Sequence, residues 1–388
     1  MFELILADFW LQHQASLLIF LLVLIAIAIS NLITWRRFKL GRYPESKMRP
    51  TVTVMVPARN EERNIEACVR SLLAQDYPDL QIIVLDDHST DRTWEILQRF
   101  KKDPRLTLIK GKDLPEDWYG KHWACHQMTQ AATGEIFVFT DADTRHQPHC
   151  IRSAVDAIIA EDADLLTAIP RERTRSFGEN LMIPVLPFAI TSFIPLPVAH
   201  RVRWPTYSAT VGQFMMFKRE TFEAIGGYPA IKHKQVDDMA FGQRIKRLGF
   251  RWRLFDGLDV ISCRMYENFK DAFHGFGKTI FSAFERKVIP FLFVWLWLFY
   301  VFTQPLVVTA VRITSGPVSD LSLYISLITI FASLILWGIN VVKFRFRWWI
   351  LFLYPFSFTI TWIMSFYSVW YSITGKASWK GRNLNNRS

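Results

Sequence analysis

Apolar and polar positions divide this chain into regions of different character. Charge is nearly absent from Ala15 to Thr34, and again over Val288–Val311, Leu321–Val342 and Trp348–Ile373. Each run is about the ~20 residues that a helix needs to cross a bilayer. Between Pro50 and Lys287 the apolar residues instead come in short bursts separated by polar ones. Thr51–Val56 is rich in β-branched residues and reads as a strand stopped by Pro57. Ile65, Val69, Leu72 and Leu73 then fall on one helical face, ended by Tyr77-Pro78. Gln81–Leu85 predicts a second strand running into Asp86, and Asp91 is placed to cap a helix around Trp94, Ile96 and Leu97. Leu106–Ile109 predicts a third strand, and Gly120-Lys121 opens a helix through Met128 and Ala132. Gly134 precedes a buried strand, Ile136–Phe139, which ends in Asp141-Ala142-Asp143. This β-α-β-α alternation predicts an α/β fold: a Rossmann-like, mainly parallel sheet with right-handed crossovers. Pro57, Asp86 and Asp141 then line one carboxyl edge, where such sheets bind ligands.

Composition sharpens the division. About 240 residues between the apolar ends suffice for one α/β domain with a real core. The expected layout is an anchor over 1–40, the α/β domain over 50–287, transmembrane helices over 288–374 and a basic tail over 375–388. The first apolar run lacks a basic leader and is followed by Trp35-Arg36-Arg37-Phe38-Lys39, the pattern of an uncleaved anchor. Its basic flank places the domain in the cytoplasm of a multi-pass protein of the cell membrane. The net charge of +11 sits largely beside the apolar spans (Arg36, Arg37, Lys39, Arg42, Lys343, Arg345, Arg347). Anionic lipid headgroups, not nucleic acid, are therefore the expected partner. The spans conflict with the charges in one respect. Three crossings after a cytoplasmic domain leave the tail (Lys376, Lys380, Arg382, Arg387) outside, opposite Lys343–Arg347. Either the tail is outside or one C-terminal segment is re-entrant. Cys68, Cys125, Cys150 and Cys263 show no paired or metal-ligand spacing and read as buried free thiols.

The chemistry gathers at the strand ends. Asp141 and Asp143 are two hard oxygen ligands of the kind that hold Mg or Mn, although such pairs also cap turns. Lys121, beside a helix start, suits a phosphate. Asp86 and Asp87 either receive a ligand or cap the following turn. His88, His122, His126, His146 and His149 lack partners that would make a metal site.

Val56-Pro57-Ala58-Arg59-Asn60-Glu61, Leu85–Asp91, Gly120-Lys121 and Asp141-Ala142-Asp143 resemble, in order and spacing, the nucleotide-sugar half of family 2 glycosyltransferases. Gly212–Arg219, Gly226-Gly227-Tyr228 and Val236-Asp237-Asp238-Met239 resemble the acceptor half. The likeness covers residues 50–280 or so and implies the GT-A fold. It implies that Pro57, Arg59, Glu61, Asp86, Asp87, Lys121 and Asp141 bind a UDP-sugar, with Asp86 receiving the base. It implies a divalent cation, Mg or Mn, on Asp141 and Asp143. Asp238 becomes the general base of an inverting transfer, supported by Asp237; the same pair also suits an acidic helix start. Arg264 and Lys278 are further candidates near the diphosphate. An early anchor with late spans is similar to bacterial enzymes that glycosylate membrane lipids of the carotenoid or hopanoid type. That implies transfer of one sugar, glucose foremost, to a hydroxylated membrane lipid. Processive members carry Gln-x-x-Arg-Trp, where this chain reads His274-Gly275-Phe276-Gly277-Lys278; single transfer is favoured over polysaccharide synthesis. Transfer to polyprenyl phosphate is a second enzymatic alternative. A transporter or scaffold with a degenerate nucleotide domain is the non-enzymatic one, poorly supported by spans with few charges. Phe177–His200 is apolar but broken by Pro184, Pro187, Pro195 and Pro197 and bracketed by arginines. It suits either a lipid entrance in the headgroup layer or a buried proline-rich loop.

Overall fold

The computed structural model describes residues 2–38, 41–44, 49–284, 286–315, 321–374, 378–379 and 382–383. The chain forms two compact units. One joins Met1–Thr34, Thr174–Pro197 and Tyr266–Tyr371; the other joins Trp35–Arg173, Val198–Met265 and Ser372–Ser388.

The second unit is built on strands β1 (Arg36–Arg37), β2 (Val52–Ala58), β3 (Leu80–Asp86), β4 (Leu106–Lys110), β5 (Ile136–Phe139), β6 (Thr144–His146), β7 (Leu165–Ile169), β8 (Arg171–Glu172), β9 (Met215–Lys218), β10 (Trp252–Asp256) and β11 (Ile261–Cys263). Eight of them make one sheet in the order β1-β10-β7-β9-β5-β2-β3-β4, and β6-β11-β8 make a small second sheet. The large sheet is parallel except for β9, which runs antiparallel between β5 and β7. The expected parallel core is therefore present as a mixed sheet. β5 is buried along its whole length, as its apolar run requires. Gly134 before it is obligatory, because a Cβ there would lie 2.6 Å from Thr53 N.

β2 does not stop at Pro57 but continues through Ala58. Neighbouring residues of a parallel strand bond alternately to either side. Met55 O turns toward β5, accepting from Thr140 N at 3.1 Å, and Ala58 O turns toward β3, accepting from Asp87 N at 2.7 Å. The N–H that proline lacks would thus point toward β5, whose pairing with β2 already ends at Phe139. Helix Ile65–Leu73 covers the sheet with Ile65, Cys68, Val69 and Leu72, close to the predicted face. All four cysteines are buried and free.

Among the described residues the apolar unit holds four helices or helical runs long and apolar enough to cross a membrane: Trp10–Thr34, Val288–Thr314, Leu321–Lys343 and Trp348–Ile373. The proline-broken stretch packs within this unit as short helices, Phe177–Met182 and Val185–Phe193. Phe188 is buried among Phe302, Trp337 and Phe358. Backbone carbonyls of the stretch are met by two side-chain amides, as an apolar surrounding demands. Asn31 Nδ2 donates to Thr191 O and Ile194 O at 2.7 and 2.8 Å, and Asn340 Nδ2 donates to Pro184 O at 3.0 Å.

Candidate active site

The sheet register brings the predicted acidic residues to one edge. Ala58 pairs with Asp86, and Met55 with Phe139, so β2, β3 and β5 end side by side, with Asp141 just beyond β5. The loops after β2 and β3 are laced together. Asn60, with φ 51°, receives Thr90 N on its side-chain oxygen at 2.8 Å, and Glu61 N donates to Thr93 Oγ1 at 2.7 Å. Arg59 Nη1 donates to Asp87 O at 2.5 Å, so Arg59 and Asp87 hold this double loop in shape. Glu61 stands at a helix start, its carboxylate accepting from Asn64 Nδ2 at 3.2 Å. Pro57 lies opposite Leu85 in the ladder. Asp86 differs from these structural neighbours. It is buried, and its Oδ1 accepts no hydrogen bond among the described residues. A buried acceptor left open at the carboxyl edge is suited to a ligand's N–H or O–H.

Lys121, in the first turn of helix Gly120–Ala131, reaches into the acidic edge. Its Nζ lies 2.8 Å from Asp141 Oδ1 and 3.7 Å from Asp237 Oδ2. Burial alone would lower the pKa of this ammonium; Asp141 and Asp237 outweigh that and hold it well above its ordinary value. Asp237 and Asp238 open helix Asp237–Arg247. Asp237 is buried and accepts from the Tyr228 hydroxyl at 3.4 Å. Despite burial, Lys121 and then His122 keep its carboxyl below the usual value.

Asp238 receives Gly212 N on Oδ2 at 2.9 Å and Met239 N on Oδ1 at 2.6 Å. Burial, then the neighbouring Asp237 charge, push its carboxyl up to about 7, against the pull of Lys121 and the two amides. A carboxyl poised near neutrality suits proton abstraction. The structure thus brings together Lys121, Asp141, Asp237 and Asp238.

Asp143 lies on the other side of the same turn, where Thr144 Oγ1 donates to Asp141 O at 2.7 Å. The Cys263 thiol hydrogen-bonds Asp143. Nearby is a residue that the sequence did not single out, Glu172. Its Oε1 accepts from Gln213 Nε2 at 3.1 Å, its carboxyl also receives the Met265 backbone amide, and among the described residues its buried Oε2 meets no partner within hydrogen-bond geometry. Burial, then the charge of Asp143, raises its carboxyl well above the ordinary range. Glu172 belongs to a strand of two residues, too short for any periodicity to reveal. Among the described residues no group of three or more His, Cys, Asp or Glu is arranged to hold a metal ion. Asp141 and Asp143 nevertheless are hard oxygen donors, and one already holds an ammonium, so a small divalent cation fits their chemistry. Arg264 follows β11, whereas Lys278 lies in helix Phe269–Ala283 of the apolar unit.

Residues 53–226 match the family described as Glycosyl transferase family 2. With the mixed sheet and its acidic carboxyl edge, this match gives the globular unit a GT-A-like fold whose residues 53–226 are similar to that family; the protein is a glycosyltransferase. In sequence it is similar to 4,4'-diaponeurosporenoate glycosyltransferase of Staphylococcus aureus (strain USA300), at 26% identity over 298 residues, covering 72% of this chain and 75% of that one. In fold it is similar to mannosyltransferase PcManGT from Pyrobaculum calidifontis, solved with GDP-Man and Mn2+. That likeness has a TM-score of 0.50 at 20% identity and covers 90% of this chain and 98% of that one.

Proposed function

We propose that the protein transfers a single sugar from a nucleoside diphosphate sugar, UDP-glucose foremost, to a membrane lipid of the carotenoid or hopanoid type, inverting the anomeric centre. The observation that carries this reading is Lys121, whose ammonium draws Asp141 and Asp237 into one cluster. Donor-side and acceptor-side carboxylates are thereby adjacent, as a direct displacement requires.

Asp86 receives the base through its open, buried oxygen, while Pro57, Arg59, Glu61 and Asp87 shape the double loop around it. Lys121 meets the diphosphate. Asp141 and Asp143 hold a divalent cation, Mg or Mn, which when bound neutralises charge on the departing diphosphate. Asp238 accepts the proton of the acceptor hydroxyl as that oxygen bonds to the anomeric carbon and the diphosphate leaves with the electron pair. Its carboxylate is oriented by Gly212 N and Met239 N, and Asp237 anchors Lys121 beside it. The apolar helices and the basic residues beside them support a cytoplasmic domain held against anionic headgroups.

The compound in the name of the Staphylococcus aureus relative, 4,4'-diaponeurosporenoate, carries the suffix of a carboxylate, which favours a second reading in which the acceptor is a carboxylate. Such an acceptor is already ionised and needs no strong base. A panel of UDP- and GDP-sugars with hydroxylated and carboxylated polyenes separates the two. Glycosylation of a hydroxyl that requires Asp238, with a single inverted sugar by NMR, supports the first. Unimpaired transfer to a carboxylate by an Asp238→Asn variant supports the second. A product ladder would contradict both.

A further inference from the structure

The charges and apolar segments of the C-terminal region conflict only if Trp348–Ile373 crosses the membrane. We propose that it does not: it is a re-entrant hairpin that enters and leaves on the face where helix Phe269–Ala283 lies, and the chain crosses three times. Helices Val288–Ser315 and Leu321–Lys343 are packed together, with Thr309 Oγ1 and Ser326 Oγ 2.8 Å apart toward their far end. After Lys343 the chain turns back on the helix it has just left. Trp337 Nε1 donates to Ile350 O at 3.1 Å, and Leu351 lies against Gly338.

By Tyr354 the chain has reached mid-depth. The Tyr354 hydroxyl meets Ser333, in the middle of its helix, and the Tyr354 ring meets Phe302, in the middle of the other. There the direction reverses. Phe358 stacks on Phe302 at 3.9 Å between centroids, and Trp362 stacks on Phe299 at 4.5 Å. The Tyr367 hydroxyl is 2.8 Å from His274 Nδ1, and Ser368 Oγ accepts from Phe281 N at 3.3 Å. From Phe358 onward the segment therefore meets Phe302, then Phe299, and ends on His274 and Phe281, which come before Val288. A crossing helix would do the opposite, its later residues meeting positions beyond Phe302. Helix Tyr354–Ile373 is about 30 Å long, ample to leave from the middle of a hydrocarbon core about 30 Å thick. At the reversal a 3-10 helix, Trp348–Leu353, passes into the α-helix that starts at Tyr354, and Ile350 and Tyr354 are buried in protein there.

Three crossings reconcile the charges. With three crossings, Lys343, Arg345, Arg347 and the cations of the tail are expected on the same side of the membrane as Arg36 and Arg37. The sequence 316–320 between the two crossing helices contains Asp320 and no cation, and Arg312 is the cation nearest to it in the chain.

The test is thiol accessibility of the full chain in sealed vesicles of one orientation, with a membrane-impermeant maleimide. The native cysteines are buried, so added thiols report. Lys102→Cys marks the side of the globular unit, Thr314→Cys the far end, and Thr374→Cys the end of the hairpin. The expected result is that Thr374→Cys labels together with Lys102→Cys and opposite Thr314→Cys. Labelling of Thr374→Cys together with Thr314→Cys would overturn the hairpin. If Thr374→Cys stays unlabelled even in opened vesicles, protease protection of an epitope placed after Ser388 gives the same two outcomes. Sugar transfer is not read, so either outcome leaves the catalytic assignment to its own test.

Discussion

Asp238 is held in tension: burial and Asp237 favour its proton, while Lys121 and two amides favour its charge. A base must be ionised, so activity on a hydroxyl acceptor is expected to fall as the pH drops below about 7. Asp238→Asn should reduce kcat by about 10²–10⁴-fold, the usual worth of a positioned base, and abolish that limb of the pH profile. The same tension has a sign in stability. The folded state binds this proton more tightly than the unfolded chain, whose carboxylate titrates near ~3.9. Its contribution is full below that pH and is lost as the pH rises toward 7. Thermal unfolding with chelator present should thus show the variant gaining on the wild type across that window. Asp86 is a different case. Removing its open oxygen in Asp86→Ala should weaken donor binding by about 10–100-fold, the worth of a hydrogen bond to a charged group, with kcat nearly unchanged; titration calorimetry with the nucleotide checks it.

At the scale of elements, the sequence was legible where residue type and geometry have one solution. β5 follows from its apolar run, and Gly134 from the need to approach Thr53 closely. Gly134→Ala should destabilise the globular unit by about 1–3 kcal/mol by overpacking, read as a lower denaturation midpoint. Pro57 misled because breaking a strand depends on which side the missing N–H faces, and that is set by β5, far along the chain. β9 and Glu172 were not legible for a related reason: an antiparallel insertion and a two-residue strand are fixed by tertiary neighbours. The acidic site residues were recognisable from ordered motifs; their clustering around Lys121 was not. The proline-broken stretch was foreseen as non-spanning, but not its dependence on Asn31, whose amide donates to two carbonyls and whose oxygen accepts Leu196 N at 2.8 Å. Asn31→Leu leaves those backbone groups unmet, and a loss of about 1–3 kcal/mol is expected, measured as earlier thermal unfolding in detergent.

At the scale of the molecule, one chain combines a GT-A domain with an apolar unit to which it returns repeatedly. Residues of Thr174–Pro197 and Tyr266–Phe284 lie in the part of the sequence that polarity assigned to the soluble domain, yet they pack with the apolar helices. Composition could not show this, because a polar side chain such as His274 finds its partner inside that unit, in Tyr367. An acceptor dissolved in the membrane is consistent with such an architecture, and Asp141 and Asp143 are proposed to serve transfer to it. The most direct measurement is nucleoside diphosphate release by the purified protein in detergent, with extracted membrane lipids, a panel of UDP- and GDP-sugars and added Mg²⁺ or Mn²⁺, beside an Asp143→Ala variant. The account predicts metal-dependent release with a singly glycosylated lipid by mass spectrometry, both lost in the variant. Equal release and product from wild type and Asp143→Ala, unaffected by chelator, would contradict it.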